Sequence, residues 1–225
     1  MTDPAPVPHR SIRSFVLRNG RITVAQQRAM TDLWPRYGLD FAPGALHPAA
    51  LFGRAAPCTL EIGFGNGEHL IARARAEPER DFIGIEVHRS GVGQLLLAIQ
   101  EHGATNLRIL CHDAIEVMGE QLAPACIDQV QLLFPDPWPK TRHHKRRIVQ
   151  PAFLALVARV LRPGGELHMA TDVSQYARHM REVLAECPLF EPLAADREAR
   201  APTRFERRGL RFGHEITDLH YRLAG

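Results

Sequence analysis

Leu60-Glu61-Ile62-Gly63-Phe64-Gly65-Asn66-Gly67-Glu68 is the stretch on which the fold turns. Residues 60–63 form a short apolar run of strand character, and residues 68–76 take helical spacing. Between them Gly63, Gly65 and Gly67 let the backbone bend sharply and leave room for a ligand where a Cβ would obstruct it. A strand leading through a glycine turn into a helix is the opening unit of an α/β sheet that binds a nucleotide. The spacing is GxGxG, because position 68 is Glu68, so the turn lacks the dinucleotide fingerprint. Glu61 at its start repels a pyrophosphate and suits a cationic, amino-acid-like ligand end.

Strands and helices alternate outward from this turn. Further strands are expected at 82–87, 107–111, 127–134 and 166–170, with helices through 95–99, from Ala114, over 149–161 and over 173–186. Arg162-Pro163-Gly164-Gly165 is a strong helix stop. This alternation predicts a doubly wound, mostly parallel α/β sheet. Upstream, residues 24–35 have helical spacing ended by Pro35, and a loop rich in Gly, Pro and Ala runs from Asp40 to Gly53. Downstream, 210–212 and 216–223 read as two more strands. Residues 1–23, with His9, Arg10, Arg13, Arg18 and Arg21, read as a mobile basic arm, and 24–225 as a single domain.

An apolar content of 45% and a charged content of 24% over 225 residues fit an ordinary globular chain. Net charge is +3, from 28 basic and 25 acidic residues, so any case for nucleic acid rests on clustering. Cys58, Cys111, Cys126 and Cys187 show neither metal-ligand nor redox spacing and read as buried thiols. No apolar run is long enough to span a membrane and no leader is evident. A reducing cytoplasm and no metal are the expectation.

Glu86 and Asp113 end the second and third strands, at the edge where open α/β sheets bind ligands. Glu86 is placed to hold both hydroxyls of a ribose. Asp113 is placed to accept from an adenine amino group while Ala114 donates its N–H, although an acid there also caps a helix. Three strand-end acids with this glycine turn favour S-adenosylmethionine over a nicotinamide dinucleotide.

The fourth strand leads into LLFPDPWPKTRHHKRR (132–147). Asp136 stands between Pro135 and Pro137, Trp138 follows, and Lys140 opens a run with Arg142, His143, His144, Lys145, Arg146 and Arg147. The loop is similar to the Asx-Pro-Pro-aromatic loop of enzymes that methylate exocyclic amino groups of bases, but here proline flanks the acid on both sides. A carboxylate, an aromatic face and a cationic run suit chemistry on a polyanion. Trp138 serves either to stack a base or to pack the loop.

EIGFGNGEHL (61–70), FIGIEVHRSG (82–91), the 132–147 stretch, ATDVSQYA (170–177) and TRFERRG (203–209) occur in this order. Together they resemble bacterial tRNA (guanine-N7-)-methyltransferase, from RSFVLRNGRIT (13–23) to the last strand. The resemblance implies a Rossmann-like class I S-adenosylmethionine-dependent fold and formation of 7-methylguanosine at position 46 of tRNA. It places cofactor residues at Glu61, Glu86, Asp113 and Asp136, with Asp136 also catalytic. It places substrate contacts at Lys140, Asp172 and Thr203-Arg204-Phe205-Glu206, without departure from the family pattern. Asp172 alternatively caps the helix after it. The run from Arg142 to Arg147, with Arg204, Arg207, Arg208 and Arg211, would meet phosphates. Oligomeric state stays open. Other readings are a methyltransferase acting on base amino groups or small molecules, a non-enzymatic RNA-binding protein, and an oxidoreductase.

Overall fold

The computed structural model describes residues 13–16, 21–194, 200 and 202–224. Most of the expected arm, including His9, Arg10 and Arg18, lies outside the described residues. In chain order the elements are α1 (Val24–Tyr37), β1 (Gly38–Leu39), α2 (Pro48–Phe52), β2 (Cys58–Ile62), α3 (Glu68–Ala76), β3 (Asp81–Ile85), α4 (Arg89–His102), β4 (Leu107–Leu110) and α5 (Ala114–Glu116). They continue as β5 (Ile127–Leu133), α6 (Pro151–Val160), β6 (Leu161–Thr171), α7 (Ser174–Ala185), β7 (Phe190–Pro192), α8 (Arg204–Arg211) and β8 (Thr217–Leu223). A π-helical turn, Val117–Gln121, extends α5, and a 3-10 turn, Thr141–Arg146, follows β5.

The eight strands lie in the order β1-β4-β3-β2-β5-β6-β8-β7. Pairs from β1 to β6 are parallel, and β8 and β7 add an antiparallel edge. The chain steps outward from β2 to β3 and β4, then returns to set β5 on the other side of β2. That reversal is a switch point, where the carboxyl ends of neighbouring parallel strands leave a crevice. The expected doubly wound, mostly parallel sheet is the fold observed.

β2 and β3 are buried along their whole length, as strands covered on both faces must be. On one face α3 and α4 bring Leu70, Leu95, Leu96 and Ile99 onto Phe82 and Ile109. On the other, α6 and α7 bring Phe153, Val157, Tyr176 and Met180 onto Ile83, Val130 and Met169. Cys58 and Cys126 are buried, and desolvation pushes their thiols up, Cys126 to about 11, which leaves them inert. Among the described residues no helix is long and apolar enough to cross a membrane, and no His, Cys, Asp and Glu cluster is placed to hold a metal ion.

Besides adding the short strands β1 and β7, the structure departs from the sequence reading at four places. α1 continues past Pro35 to the buried Tyr37; the proline removes one intrahelical hydrogen bond, and Gly38 N–H still closes the last turn on Trp34 O. The 40–53 loop contains α2, begun by the His47 ring accepting from Ala49 N–H and by Pro48 at its first position. Arg162-Pro163-Gly164-Gly165 lies inside β6, which already pairs at Leu161 with Ile127. Residues 210–212 are not a strand but the end of α8 and its cap. Thr203 caps that helix, its hydroxyl accepting from Glu206 N–H at 3.1 Å. Thr203-x-x-Glu206 is a capping signature that the sequence already carried.

A buried ionic cluster fastens α8 to the sheet. Arg200 donates through Nε and Nη2 to Asp218 at 2.8 and 3.2 Å, and through Nη1 to Glu206. His168 Nε2 meets the same Asp218 at 2.9 Å. Burial works to raise the Asp218 carboxyl, but hydrogen bonds from His168 and Arg200, and then their charges, outweigh it and hold the group below its ordinary range. Asp218→Asn removes half of a buried pair and is expected to cost about 3 kcal/mol, read from urea unfolding. A depressed carboxyl contributes stability above its unfolded value, near pH ~4, and loses it as pH falls through the lower folded value. The gap between wild type and variant therefore narrows as pH falls below about 4 and closes only below the folded value, and a gap that does not narrow with falling pH would sink this account.

Candidate active site

β5 runs into a loop shaped by two left-handed residues. Phe134 has φ 54° and Trp138 φ 45°, and each precedes a proline. A residue before proline ordinarily takes an extended backbone, and a left-handed bulky residue costs about 1–2 kcal/mol. Contacts from elsewhere hold both in place. Phe134 N–H donates to Ala170 O at 2.8 Å, and the Arg200 guanidinium lies 5.6 Å from its ring. Trp138 Nε1 donates to Ser14 O at 3.0 Å, Arg146 lies 4.2 Å from its ring, and His143 meets it edge-on. Arg146 Nη2 also donates to Phe15 O at 3.1 Å. Between the two strained residues, Asp136 stands exposed at the mouth of a cleft.

The cleft has a volume of about 240 Å³ and opens at the carboxyl ends of β2 to β5. Gly63, Gly65, Glu86, Asp113, Ala114 and Asp136 all line it, so most of the expected cofactor residues converge. Ser14 and Phe15 form part of its wall, as does Phe205 from α8. Gly63 and Gly65 have φ of 72° and 60°, and a Cβ built on Gly63 would meet nothing within 4 Å. Gly67 does different work and does not line the cleft. A Cβ there would strike Leu95 Cδ1 at 2.6 Å, so Gly67 serves the contact between α3 and α4.

Each strand-end acid is already engaged. Glu86 accepts from Gly65 N–H at 2.9 Å on one oxygen, and from Val87 and His88 N–H at 2.7 and 3.0 Å on the other. That fills three of roughly four acceptor positions, which leaves one for a ligand hydroxyl rather than the two expected. Asp113 caps α5 by accepting from Ile115 N–H at 2.9 Å, and the cap leaves it lining the cleft. Burial raises its carboxyl above the ordinary range, and the Ile115 N–H opposes this. Glu61 is buried and lies off the cleft wall, its carboxylate 2.8 Å from His69 Nδ1. A carboxylate only accepts, so His69 donates through Nδ1.

Asp172 does not cap α7, whose cap position is Val173. It pairs instead with His214 Nδ1 at 3.0 Å, and a Cβ on Gly209 would fall 2.9 Å from its Oδ2. Thr203 and Glu206 are buried as cap and ion-pair partner of Arg200, so α8 sends Phe205 to the cleft in their place. Lys140, Arg142, Lys145 and Arg204 are exposed. Loss of hydration, and then the charges of Arg142 and Lys140, push His143 below its ordinary value. His144 is half-buried, and its Nε2 is buried without a hydrogen-bond partner. Arg207 is paired with Glu68 of α3.

Residues 55–219 match a family model described as a putative methyltransferase. A tRNA (guanine-N(7)-)-methyltransferase of Alcanivorax borkumensis is 52% identical over 216 residues, 93% of this chain and 90% of that protein. The chain belongs to the tRNA (guanine-N(7)-)-methyltransferase family. A relative so named from Leifsonia xyli subsp. xyli is 50% identical over 226 residues, 98% of each chain. More distant solved structures share the fold. The 16S rRNA methyltransferase KamB has a TM-score of 0.59 at 18% identity, over 78% of this chain and 92% of that one. A 16S rRNA (adenine(1408)-N(1))-methyltransferase from Catenulisporales acidiphilia, solved with SAM, has a TM-score of 0.54 at 16% identity, over 81% and 93%.

Within this methyltransferase, sequence reasoning missed Ser14, Phe15, His69, Arg200 and His214. Ser14, Phe15 and His214 act across long stretches of chain and left no local signal, while His69 and Arg200 meet acids eight and six residues away. Arg147 is the clearest correction. It is buried, donates through Nε to Pro137 O at 3.0 Å and through Nη2 to Gln175 Oε1 at 3.3 Å, and lies 5.0 Å from the Tyr176 ring. It braces the Asp136 loop and does not meet solvent phosphates. Arg147→Ala is expected to destabilise the protein by about 1–3 kcal/mol, read from thermal unfolding. An unchanged melting temperature would return Arg147 to the surface run.

Proposed function

We propose that this chain transfers the methyl group of S-adenosylmethionine to N7 of a guanine in tRNA, the one at position 46, and forms 7-methylguanosine. The observation that carries the reading is the cleft itself, in a chain of this family. Glu86, Asp113, Gly63 and Gly65 line one wall of the cleft, and Asp136 stands at its mouth. The cradle suits the cofactor. The open space above Gly63 admits a close backbone approach, Glu86 keeps one acceptor position for a ribose hydroxyl, and Asp113 with Ala114 N–H suits an adenine edge. Glu61, one residue below the turn and held by His69, favours the cationic amino-acid end through its charge. When bound, S-adenosylmethionine supplies a methyl group made electrophilic by its sulfonium.

Guanine N7 carries a free lone pair, so no base has to remove a proton, and alignment is the main catalytic lever. Asp136 orients the guanine through its N–H edge and stabilises the positive charge that grows on its imidazole ring. Asp172, fixed by His214 and by Gly209, helps hold the base. Thr203 and Glu206 act by fixing α8. Lys140, Arg142, Lys145 and Arg204 meet phosphates, a contact that weakens with salt. Residues 24–225 act as one domain, in a reducing cytoplasm that keeps the four thiols free.

The deciding experiment is methyl transfer to unmodified tRNA, with the methylated atom mapped by nuclease digestion and mass spectrometry. Methyl groups found only on exocyclic nitrogens would overturn the N7 assignment. Asp136→Ala is expected to lower turnover on the order of a hundredfold or more while tRNA affinity changes far less. Replacing Arg142 and Lys145 together with Ala is expected to flatten the salt dependence of tRNA binding by about two units of slope. A slope equal to wild type would remove both from the phosphate contacts.

A further inference from the structure

One buried carboxylate beside the cleft meets an imidazole where buried acids elsewhere in the fold meet a guanidinium. Asp81 is paired with Arg54 at 2.6 Å, and Glu206 with Arg200. Glu61 is buried as deeply, but its partner is His69 Nδ1, at 2.8 Å, and an imidazole is charged only when protonated. We propose that His69 is a positioning residue for the cofactor. It aims the Glu61 carboxylate from behind the cleft wall, and the pair selects a ligand that carries an ammonium group. The inference rests on S-adenosylmethionine as the cofactor and adds the side chain through which its amino-acid end is distinguished.

The pair stands directly behind the cleft. Ile62 follows Glu61 on β2, Leu132 follows Gln131 on β5, and both line the wall. Glu61 lies in register with Gly84 of β3 and with Gln131 of β5. Partners in register on parallel strands project to the same face, so an amide flanks the carboxylate there, not a cation. Among the described residues no lysine or arginine pairs with Glu61. Glu86, the buried acid on the cleft wall, is likewise held by backbone N–H groups and by no cation. The buried acids that meet an arginine fasten the fold, and the two that meet none stand at the cofactor. A buried carboxylate without a compensating cation is unfavourable, and a cation brought beside it relieves that.

His69 is costly where it sits. It belongs to the face of α3 that also buries Leu70, Ile71 and Ala74, where an apolar side chain would pack with every atom satisfied. A carboxylate only accepts, so Nδ1 donates to Glu61, and Nε2 is buried with no hydrogen-bond partner among the described residues. Burying an unpartnered nitrogen is unfavourable. The hydrogen bond that the ring makes in return goes to Glu61, so its role is to aim that carboxylate. Buried charges are poorly screened, and the aimed group acts at full strength on a charge at the wall in front of it. It attracts the ammonium of an amino-acid end and repels the carboxylate of that end, which sets how the end is turned.

Calorimetry with three ligands tests the pair. They are S-adenosylhomocysteine, its deaminated analogue, which keeps the carboxylate, and methylthioadenosine, which lacks the amino-acid end. Wild-type binding of S-adenosylhomocysteine is measured first, so a failure of the cofactor reading, which would take this inference with it, is seen before any variant is made. Loss of the amino group is expected to weaken wild-type binding on the order of tenfold or more. His69→Leu is expected to bind S-adenosylhomocysteine about tenfold more weakly than wild type, to discriminate less against the deaminated analogue, and to bind methylthioadenosine equally well. His69→Asn, whose amide N–H falls near the place of Nδ1, restores the affinity. His69→Gln carries its donor one bond further out, is expected to behave as His69→Leu, and decides the matter if the leucine variant does not fold. Wild-type affinity for S-adenosylhomocysteine in these two variants would overturn the proposal. So would an equal loss for methylthioadenosine, the mark of a general disturbance of the fold, or a wild type indifferent to the amino group.

Discussion

Two aromatic residues held left-handed in front of prolines are the constraint on which the site depends. Neither Phe134 nor Trp138 would choose that backbone alone, and together they cost about 2–4 kcal/mol. The loop keeps its shape because distant groups over-determine it. Arg200 and Ala170 O hold Phe134 from the sheet side, and Ser14 O and Arg146 hold Trp138 from the N-terminal side. Arg147 binds Pro137 O in the middle. Remove these supports and the segment relaxes toward extended backbone, carrying Asp136 away from the cleft. Strain here serves as preorganisation.

The same logic governs the acids at the strand ends. Glu61, Glu86, Asp113, Asp136 and Asp172 gather like charges at one edge of the sheet, which repel each other across a poorly screened cleft. Each engaged member is balanced by local donors: His69 for Glu61, three backbone N–H groups for Glu86, one for Asp113 and His214 for Asp172. Asp136, the most exposed, faces the mouth.

The fold was legible because parallel strands buried on both faces and glycine turns leave dense local signals. The 132–147 run was only half legible. Lys140, Arg142 and Lys145 face solvent as a charge run should, but neighbouring Arg147 turns inward to Gln175 and Tyr176 of α7. Nothing within the run announces that partner. α8 misled for a related reason. Leu210 and Phe212 alternate with Arg211 in the manner of a strand, while the helix's buried positions are Glu206 and Gly209, an acid and a glycine. A helix that buries its acid reads as no helix at all until Arg200, six residues earlier, is seen inside the fold.

That inversion says what α8 is for. Folding alone favours burying Phe205, Leu210 and Phe212 and leaving Glu206 in water, since apolar burial gains about 25 cal/mol per Å² and an unpaired buried charge costs several kcal/mol. The chain does the reverse, and the Arg200 cluster makes the reverse stable. A buried ion pair adds little net stability over an apolar core, but its directional bonds fix one helix position. α8 is thereby locked to the sheet through Glu206 and to the Asp172 loop through Gly209, while its apolar side stays open. Arg200 also reaches the Phe134 ring, so α8 and the loop that carries Asp136 rest on one guanidinium. The position of α8 and the geometry of the Asp136 loop are therefore set by the same buried charge, and neither shifts without the other.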